Sequence, residues 1–249
     1  MSVSGSADQV DISSLKVACK DCNLYQLCLP LGLENDDLER LDNIIKRRRP
    51  VKRNAYLYQA GDAMHSIYAV RSGSFKSFTL TDDGTEQITG FSLSGELVGL
   101  DAISSGQHIS TSRALEMSHV CEIPFERLEE LSSSIPGLQR QLLRIMSKEI
   151  ASDQSAILLG KRSAEERLAC FILSLINRFE ARGFSAREIN LTMSRVEIAS
   201  YLGLAVETVS RVFSRFQQEN IMSVNRRSIE INNMEKIQNL ANGRLALGK

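Results

Sequence analysis

Three cysteines fall within the ten residues CKDCNLYQLC: Cys19, Cys22 and Cys28. Thiols at such short spacing suit disulfides in a secreted miniprotein and metal ligation in a reducing compartment. Three are one short of the usual four ligands of a closed site. Two further cysteines remain. Cys170 lies in ERLACFILSLI, on an apolar helix face, and reads as core packing. Cys121, in HVCEIP, can complete a four-thiolate set if the lead segment folds back over it. Four thiolates suit a tetrahedral zinc and an iron–sulfur cluster alike, and ligand type leaves both open. Only the cluster has iron redox chemistry that oxygen can address directly.

The opening residues MSVSGSADQVDISS contain neither a basic n-region nor an apolar h-region, and no apolar run approaches a membrane span. A cytoplasmic protein with reduced thiols and no membrane partner is expected, which favours metal over disulfides. The 249 residues, 43% hydrophobic and 24% charged, are enough for one or two folded domains. The net charge of zero means that nucleic-acid binding would need a local patch.

Residues 1–30 form a short, polar, cysteine-bearing lead. LGLENDDLERLDNII, from Leu31, has helical spacing. KRRRPVKR follows and reads as a solvated turn rather than a nucleic-acid site. From Tyr56 to Ile123 short alternating or apolar stretches are broken by AGD, RSG, DDG, LSGE and SSGQ, the pattern of an antiparallel roll or barrel. DDG between FTL and TEQITGF marks a hairpin. Helical periodicity returns at Pro136 for PGLQRQLLRIMSKEIASDQSAILLG. A second helix opens at Ser163 with Glu166 three residues on, a capping box. INLTMS reads as a short strand. The predicted class is α+β. A cysteine-bearing segment (1–30) precedes a β-roll (31–134). A long dimerisation helix (135–160) and a winged helix-turn-helix (161–249) follow.

VEIASYLGLAVETVSRVFSRF, from Val196, carries the helix-turn-helix pattern. Ile198, Ala199 and Leu202 make a first helix with a small residue where the second approaches. Gly203 supplies the positive-φ turn and Leu204 plugs the corner. In the second helix, which includes Thr208, the residues Val209, Val212, Phe213 and Phe216 face inward. Glu207, Ser210, Arg211 and Arg215 are left outside, as side chains that a major groove can use. SVNRRSIEIN forms a wing whose Arg226 and Arg227 reach phosphate. Ser194 caps the first helix.

The Pro136 helix, read in alternating steps of three and four, presents Leu143, Met146, Ile150, Asp153 and Ile157 as a coiled-coil seam. In a parallel homodimer two Asp153 carboxylates would meet, at a cost on the order of 1 kcal/mol or more. Such a dimer is marginal, and a small input of binding energy can switch it.

The C-x2-C-x5-C lead with the distant Cys121, together with RSGSFKS, GELVGLDAI, the seam helix and VETVSR, resembles the FNR-type regulators of the CRP/FNR superfamily. The resemblance runs from about Cys19 to the end of the chain, and it implies that the β-roll is a sensory domain of the jelly-roll, cyclic-nucleotide-binding kind. It implies an oxygen-labile 4Fe–4S cluster on Cys19, Cys22, Cys28 and Cys121, which becomes 2Fe–2S on exposure to oxygen. The intact cluster would favour a DNA-binding dimer that reverts to monomer when oxygen degrades it. It also implies double-stranded DNA targets with TTGAT-like inverted repeats, read by Glu207, Ser210 and Arg211. Asp153 matches the family's inhibitory seam carboxylate. Ser72 and Gly84 match loops that touch RNA polymerase.

Rival functions find less support in the residues. GELVG and Arg113 look like parts of a cyclic-nucleotide pocket, but GQHIS places His108 and Ile109 where a phosphate-gripping Arg-Ser pair would stand. No nucleotide loop, nucleophile elbow or zinc-protease motif is present, so no enzyme is predicted. His65, His108 and His119 are scattered. An electron carrier would need the cluster but no helix-turn-helix.

Overall fold

The computed structural model describes residues 19–242. Residues 1–18 of the lead and 243–249 lie outside that range. The described chain opens with a 3-10 turn at Cys19–Asp21, followed by α1 (Asn35–Ile44) and the two-residue strand β1 (Lys46–Arg47). The roll comprises β2 (Tyr56–Tyr58), β3 (Ser66–Ser72), β4 (Ser74–Leu80), β5 (Glu86–Leu93), β6 (Leu97–Val98), β7 (Thr111–Ala114) and β8 (His119–Pro124). Then come α2 (Phe125–Ser134), α3 (Pro136–Leu159) and α4 (Ala164–Glu180). The C-terminal module adds β9 (Glu188–Asn190), α5 (Arg195–Leu202), α6 (Val206–Gln218), β10 (Met222–Asn225), β11 (Ser228–Ile231) and α7 (Met234–Ala241).

Two four-stranded antiparallel sheets, ordered β1-β8-β3-β6 and β2-β7-β4-β5, make the roll. The hairpin signal DDG joins β4 to β5, which pair from Leu80 opposite Glu86 to Ser74 opposite Leu93, with Gly84 at φ 80°. A three-stranded sheet, β10-β11-β9, backs the last module. The capping boxes at Ser163–Glu166 and Ser194–Glu197 are both formed, so each helix start satisfies its own free N–H groups.

The structure differs from the sequence reading in four places. KRRRPVKR is only partly a turn: Lys46 and Arg47 pair in register with Glu122 and Cys121 of β8. Two short helices, α2 and α7, stand where the sequence pattern marks no element of their own. In INLTMS only Ile189 and Asn190 are strand, whereas Leu191 and Met193 are buried in loop.

Three apolar clusters hold the chain together. One joins the lead and α1 (Leu29, Leu33, Leu41) to the roll (Ile67, Ile123) and to Ile135 and Leu138 at the start of α3. A second fills the roll around Val70 and Phe75. The third crosses from the roll (Phe78, Ile88, Phe91) into α4, α5 and α6, so the C-terminal module is docked on its own roll. Ser200 of α5 ties that junction: its hydroxyl donates to Glu86 O (2.9 Å) and accepts from Ile88 N–H (3.0 Å).

Candidate thiolate centre and nucleic-acid interface

Cys19, Cys22, Cys28 and Cys121 line one small cavity, whose other walls include Leu24, Leu29, Leu41, Val70 and Ile123. Its volume of about 40 Å³ admits about three water-sized spheres. The lead reaches β8 through tight local turns, with Cys22 N–H on Cys19 O (3.3 Å) and Cys28 N–H on Leu24 O (3.2 Å). Tyr25 closes the loop by donating to Leu33 O at 3.2 Å. Asp42, on α1, accepts from Cys19 N–H (3.1 Å) and from Arg47 Nη2 (2.5 Å), and Arg47 stands in register with Cys121. One carboxylate thus braces the lead against the strand that carries the fourth thiol. The sequence reading gave Asp42 no role, since nothing in the helical spacing of LGLENDDLERLDNII announces it.

Burial pushes the Cys28 thiol up to about 12, with the neighbouring Cys121 and Cys22 charges adding to the shift. Burial likewise raises Cys19, helped by Asp42 and the other thiols, and raises Cys121. These buried thiols are protonated at neutral pH, and a metal that ligates them must displace protons. Among the described residues no group of three His, Cys, Asp or Glu side chains is placed to hold a single metal ion. A tetrahedral zinc needs its four sulfurs about 2.3 Å from one point. A cluster, with several atoms between its ligands, takes a wider set. The donor chemistry and the apolar walls fit an iron–sulfur group. Cys170 is far from this set. It sits half-buried against the C-terminal core, 3.3 Å from Ala241 O.

The seam residues lie along the outer face of α3. Leu143, Ile150 and Ile157 are exposed by 60%, 58% and 76%, values that mark an apolar stripe open to a partner. Met146 is half-buried and Asp153 exposed. Burial raises Glu149 and Tyr201 of α5, and the Asp153 charge adds to both shifts.

In the C-terminal module Gly203 ends α5 at φ 61°, and Val209, Val212, Phe213 and Phe216 are buried against the core. Glu207, Ser210, Arg211 and Arg215 are exposed on α6, with Thr208 half-exposed beside them. Arg211 reaches only Thr208 Oγ1 at 3.2 Å, a weak tether that a base can replace. Arg215 is held differently, by Glu219 (2.8 Å) and by Glu165 of α4. The wing turns through Arg226, at φ 54° between β10 and β11.

The roll also contains a polar pocket lined by Arg48, Tyr58, Asp62, His65, Tyr68, His108 and Glu122, so two histidines that are distant in sequence meet there. Its arginine, Arg48, is already paired with Glu122. His108 is stacked on Tyr58 with centroids 3.7 Å apart and hydrogen-bonded to Asp101 at 3.2 Å. Ile109 is exposed, and Arg113 is paired with Glu86. An anionic cyclic phosphate would face two carboxylates here without a spare cation among the lining residues. The acid of GELVG serves elsewhere: Glu96 accepts from Arg178 (2.5 Å) and Arg182 (2.5 Å), joining the roll to the C-terminal module. Of the remaining expected sites, Ser72 is half-buried and bonded to His119 Nδ1 at 2.9 Å, and Gly84 is exposed at a hairpin tip.

Residues 166–240 match the family described as Crp-like helix-turn-helix domain, and residues 48–134 match the cyclic nucleotide-binding domain family. The chain is 53% identical over 226 residues to the fumarate and nitrate reduction regulatory protein of Yersinia pestis. It is 52% identical over 226 residues to that of Escherichia coli strain K12, and each match covers 90% of both chains. Among solved structures it is similar to FixK2 from Bradyrhizobium japonicum, with a TM-score of 0.73 and 28% identity over 79% of this chain and 97% of that one. A CRP/FNR-family transcriptional regulator from Thermus thermophilus shares the fold at 17% identity and a TM-score of 0.62, over 79% of this chain and 99% of that one.

Proposed function

The chain belongs to the FNR family of transcription regulators and carries their DNA-binding helix-turn-helix, and from that premise we propose that it is a cytoplasmic, oxygen-responsive regulator of anaerobic metabolism. It acts as a homodimer while a 4Fe–4S cluster on Cys19, Cys22, Cys28 and Cys121 is intact, and as a monomer once oxygen degrades the cluster. The observation that carries this reading is the convergence of four thiols, three from the lead and one from β8, on one apolar cavity.

The group, when bound, supplies iron that oxygen can oxidise. The chain does the rest. Asp42 accepts from Cys19 N–H and pairs with Arg47, which stands in register with Cys121. The apolar walls limit access of water to the thiolates. On α3, Leu143, Met146, Ile150 and Ile157 form the dimer seam, with Asp153 opposing it. Glu207, Thr208, Ser210 and Arg211 of α6 read TTGAT-like half-sites, and Arg215 joins them where its ion pairs open. Ser72 and Gly84 are contacts for RNA polymerase. The chain has no catalytic role.

The test is anaerobic purification followed by iron and acid-labile sulfide analysis, with an optical spectrum before and after air. About four irons and four sulfides per chain, and a spectrum that changes in air, are expected. A colourless protein with one zinc per chain would leave DNA binding intact and remove the sensing mechanism.

A further inference from the structure

The inner face of α3 packs Leu138, Leu142 and Ile145 against the core shared with the lead. Among these apolar residues stands Gln141, only 4% exposed. Its Nε2 donates to the carbonyl of Cys28 at 3.2 Å, and the same carbonyl accepts from Leu31 N–H at 3.3 Å. The other end of the amide, Oε1, is buried with no hydrogen-bond partner among the described residues. A leucine would fill this place without stranding a polar atom, so the bond to Cys28 is the amide's only polar gain. The contact is close along the whole turn. At Gly137 a Cβ would stand 3.1 Å from Leu33 Cδ2, and Leu29 and Leu33 share one core with Ile135 and Leu138.

We propose that Gln141 is a positioning residue: it fixes α3 to the Cys28 turn, so that occupancy of the thiol cavity sets the placement of the dimer seam. This rests on the cluster reading above. Cys28 is one of the cavity's walls, so a group that draws its thiol inward pulls on the turn whose carbonyl Gln141 holds. At about 100° per residue, Leu143 lies on the opposite side of the helix from Gln141. One helical turn therefore carries the inner bond and the first outer seam residue. A helix is stiff along its axis, and Met146, Ile150 and Asp153 ride with that turn.

The test uses the full chain as wild type, Gln141→Leu and Gln141→Glu. Each is prepared anaerobically with its cluster and again without it. Iron, sulfide and the optical spectrum are measured first, then the dimerisation constants by analytical ultracentrifugation. Both variants are expected to load a cluster with the wild-type spectrum. The ratio of cluster-bound to cluster-free dimerisation constants should fall about fivefold in Gln141→Leu, the size of one amide–carbonyl hydrogen bond. It should fall at least as far in Gln141→Glu, whose carboxylate cannot donate to Cys28. In an Asp153→Ala background, where the dimer is expected to depend less on the cluster, Gln141→Leu should add a smaller loss. A wild-type ratio in the variants, or a uniform loss of stability with the ratio unchanged, overturns the proposal and makes Gln141 a packing residue. A wild-type protein without iron or sulfide would sink the cluster reading itself, and the proposal with it.

Discussion

Glu96 offers the sharpest test of how the two halves of the chain are joined. Its carboxylate accepts from Arg178 Nε (2.9 Å) and Nη2 (2.5 Å), from Arg182 Nη2 (2.5 Å), and from Leu93 N–H (2.9 Å). Although burial opposes ionisation, the two guanidiniums hold this carboxyl below its ordinary range. Glu96→Gln keeps the shape and one acceptor but removes the charge and turns an amide nitrogen toward an arginine. Hydrogen bonds to charged groups net roughly 1.5–3 kcal/mol each. The Glu96 side chain is 26% exposed, which lets water recover part of that. A net loss of about 2 kcal/mol is expected, and it falls on the junction between roll and C-terminal module.

Urea unfolding of the reduced, cluster-free monomer, followed by circular dichroism, measures the loss. A double-mutant cycle with Arg182→Met isolates the pair, since Arg182 is only 4% exposed and has little alternative solvation. The pH dependence carries a sign. A carboxyl held low in the folded state stabilises fully above the ordinary carboxylate range, and that contribution fades as pH falls through the lowered value. Wild type should therefore lose junction stability in acid, and Glu96→Gln should lack that component. A change below about 0.5 kcal/mol, or full additivity in the cycle, would show that the arginines rehydrate without penalty and would refute the reasoning.

Three other substitutions probe separate parts. Arg211→Ala should weaken operator binding by about 1–3 kcal/mol while non-specific binding barely moves. Equal loss in a salt-controlled titration of both would make Arg211 a phosphate contact. Asp153→Ala should tighten the cluster-free dimer by about fivefold or more, from about 1 kcal/mol of removed repulsion, and an apo variant as monomeric as wild type in sedimentation would refute the seam. Gly95→Ala forces a side chain into φ +88° and sets its Cβ 3.0 Å from Leu27 of the lead, whereas Gly61→Ala, at φ +91°, meets nothing within 4 Å. Both should lose about 1–3 kcal/mol from backbone strain, but only Gly95→Ala should also lose iron per chain; equal iron content would remove the Leu27 contact from the argument.

Where the residues carried local chemistry, the structure was legible in advance. The capping pairs Ser163–Glu166 and Ser194–Glu197, the turn glycine at 203 and the apolar positions of α6 are written within a few residues of one another. The exposed stripe at Leu143, Ile150 and Ile157 follows from a seven-residue period. The missed features depend on partners distant in the chain. Lys46 and Arg47 are strand because β8 offers them an edge, and no local pattern in KRRRPVKR says so. Glu96 looked like part of a ligand pocket until α4 and the turn after it brought two arginines to it. Helices α2 and α7 are short, ten and eight residues, and each has only a brief apolar stripe to announce it. Gln141 did leave a mark, since a polar residue interrupts an otherwise apolar helix face.

The thiol cavity has two outward connections, and they differ in kind. Toward the seam, the Cys28 carbonyl meets Gln141 of α3 through a single hydrogen bond. Toward the C-terminal module, Gly95 forms part of the cavity wall, and the next residue, Glu96, holds Arg178 and Arg182. The polar part of the first link, beside the apolar contacts of Leu138, Leu142 and Ile145, is one neutral bond worth on the order of 1 kcal/mol, and the second is a charge-assisted set worth about twice that. A disturbance of the cavity is therefore expected to loosen α3 first, while the C-terminal module stays docked on the roll. Loss of DNA binding would then follow from separation of two intact protomers, each still holding a folded helix-turn-helix, rather than from unfolding of the reader itself.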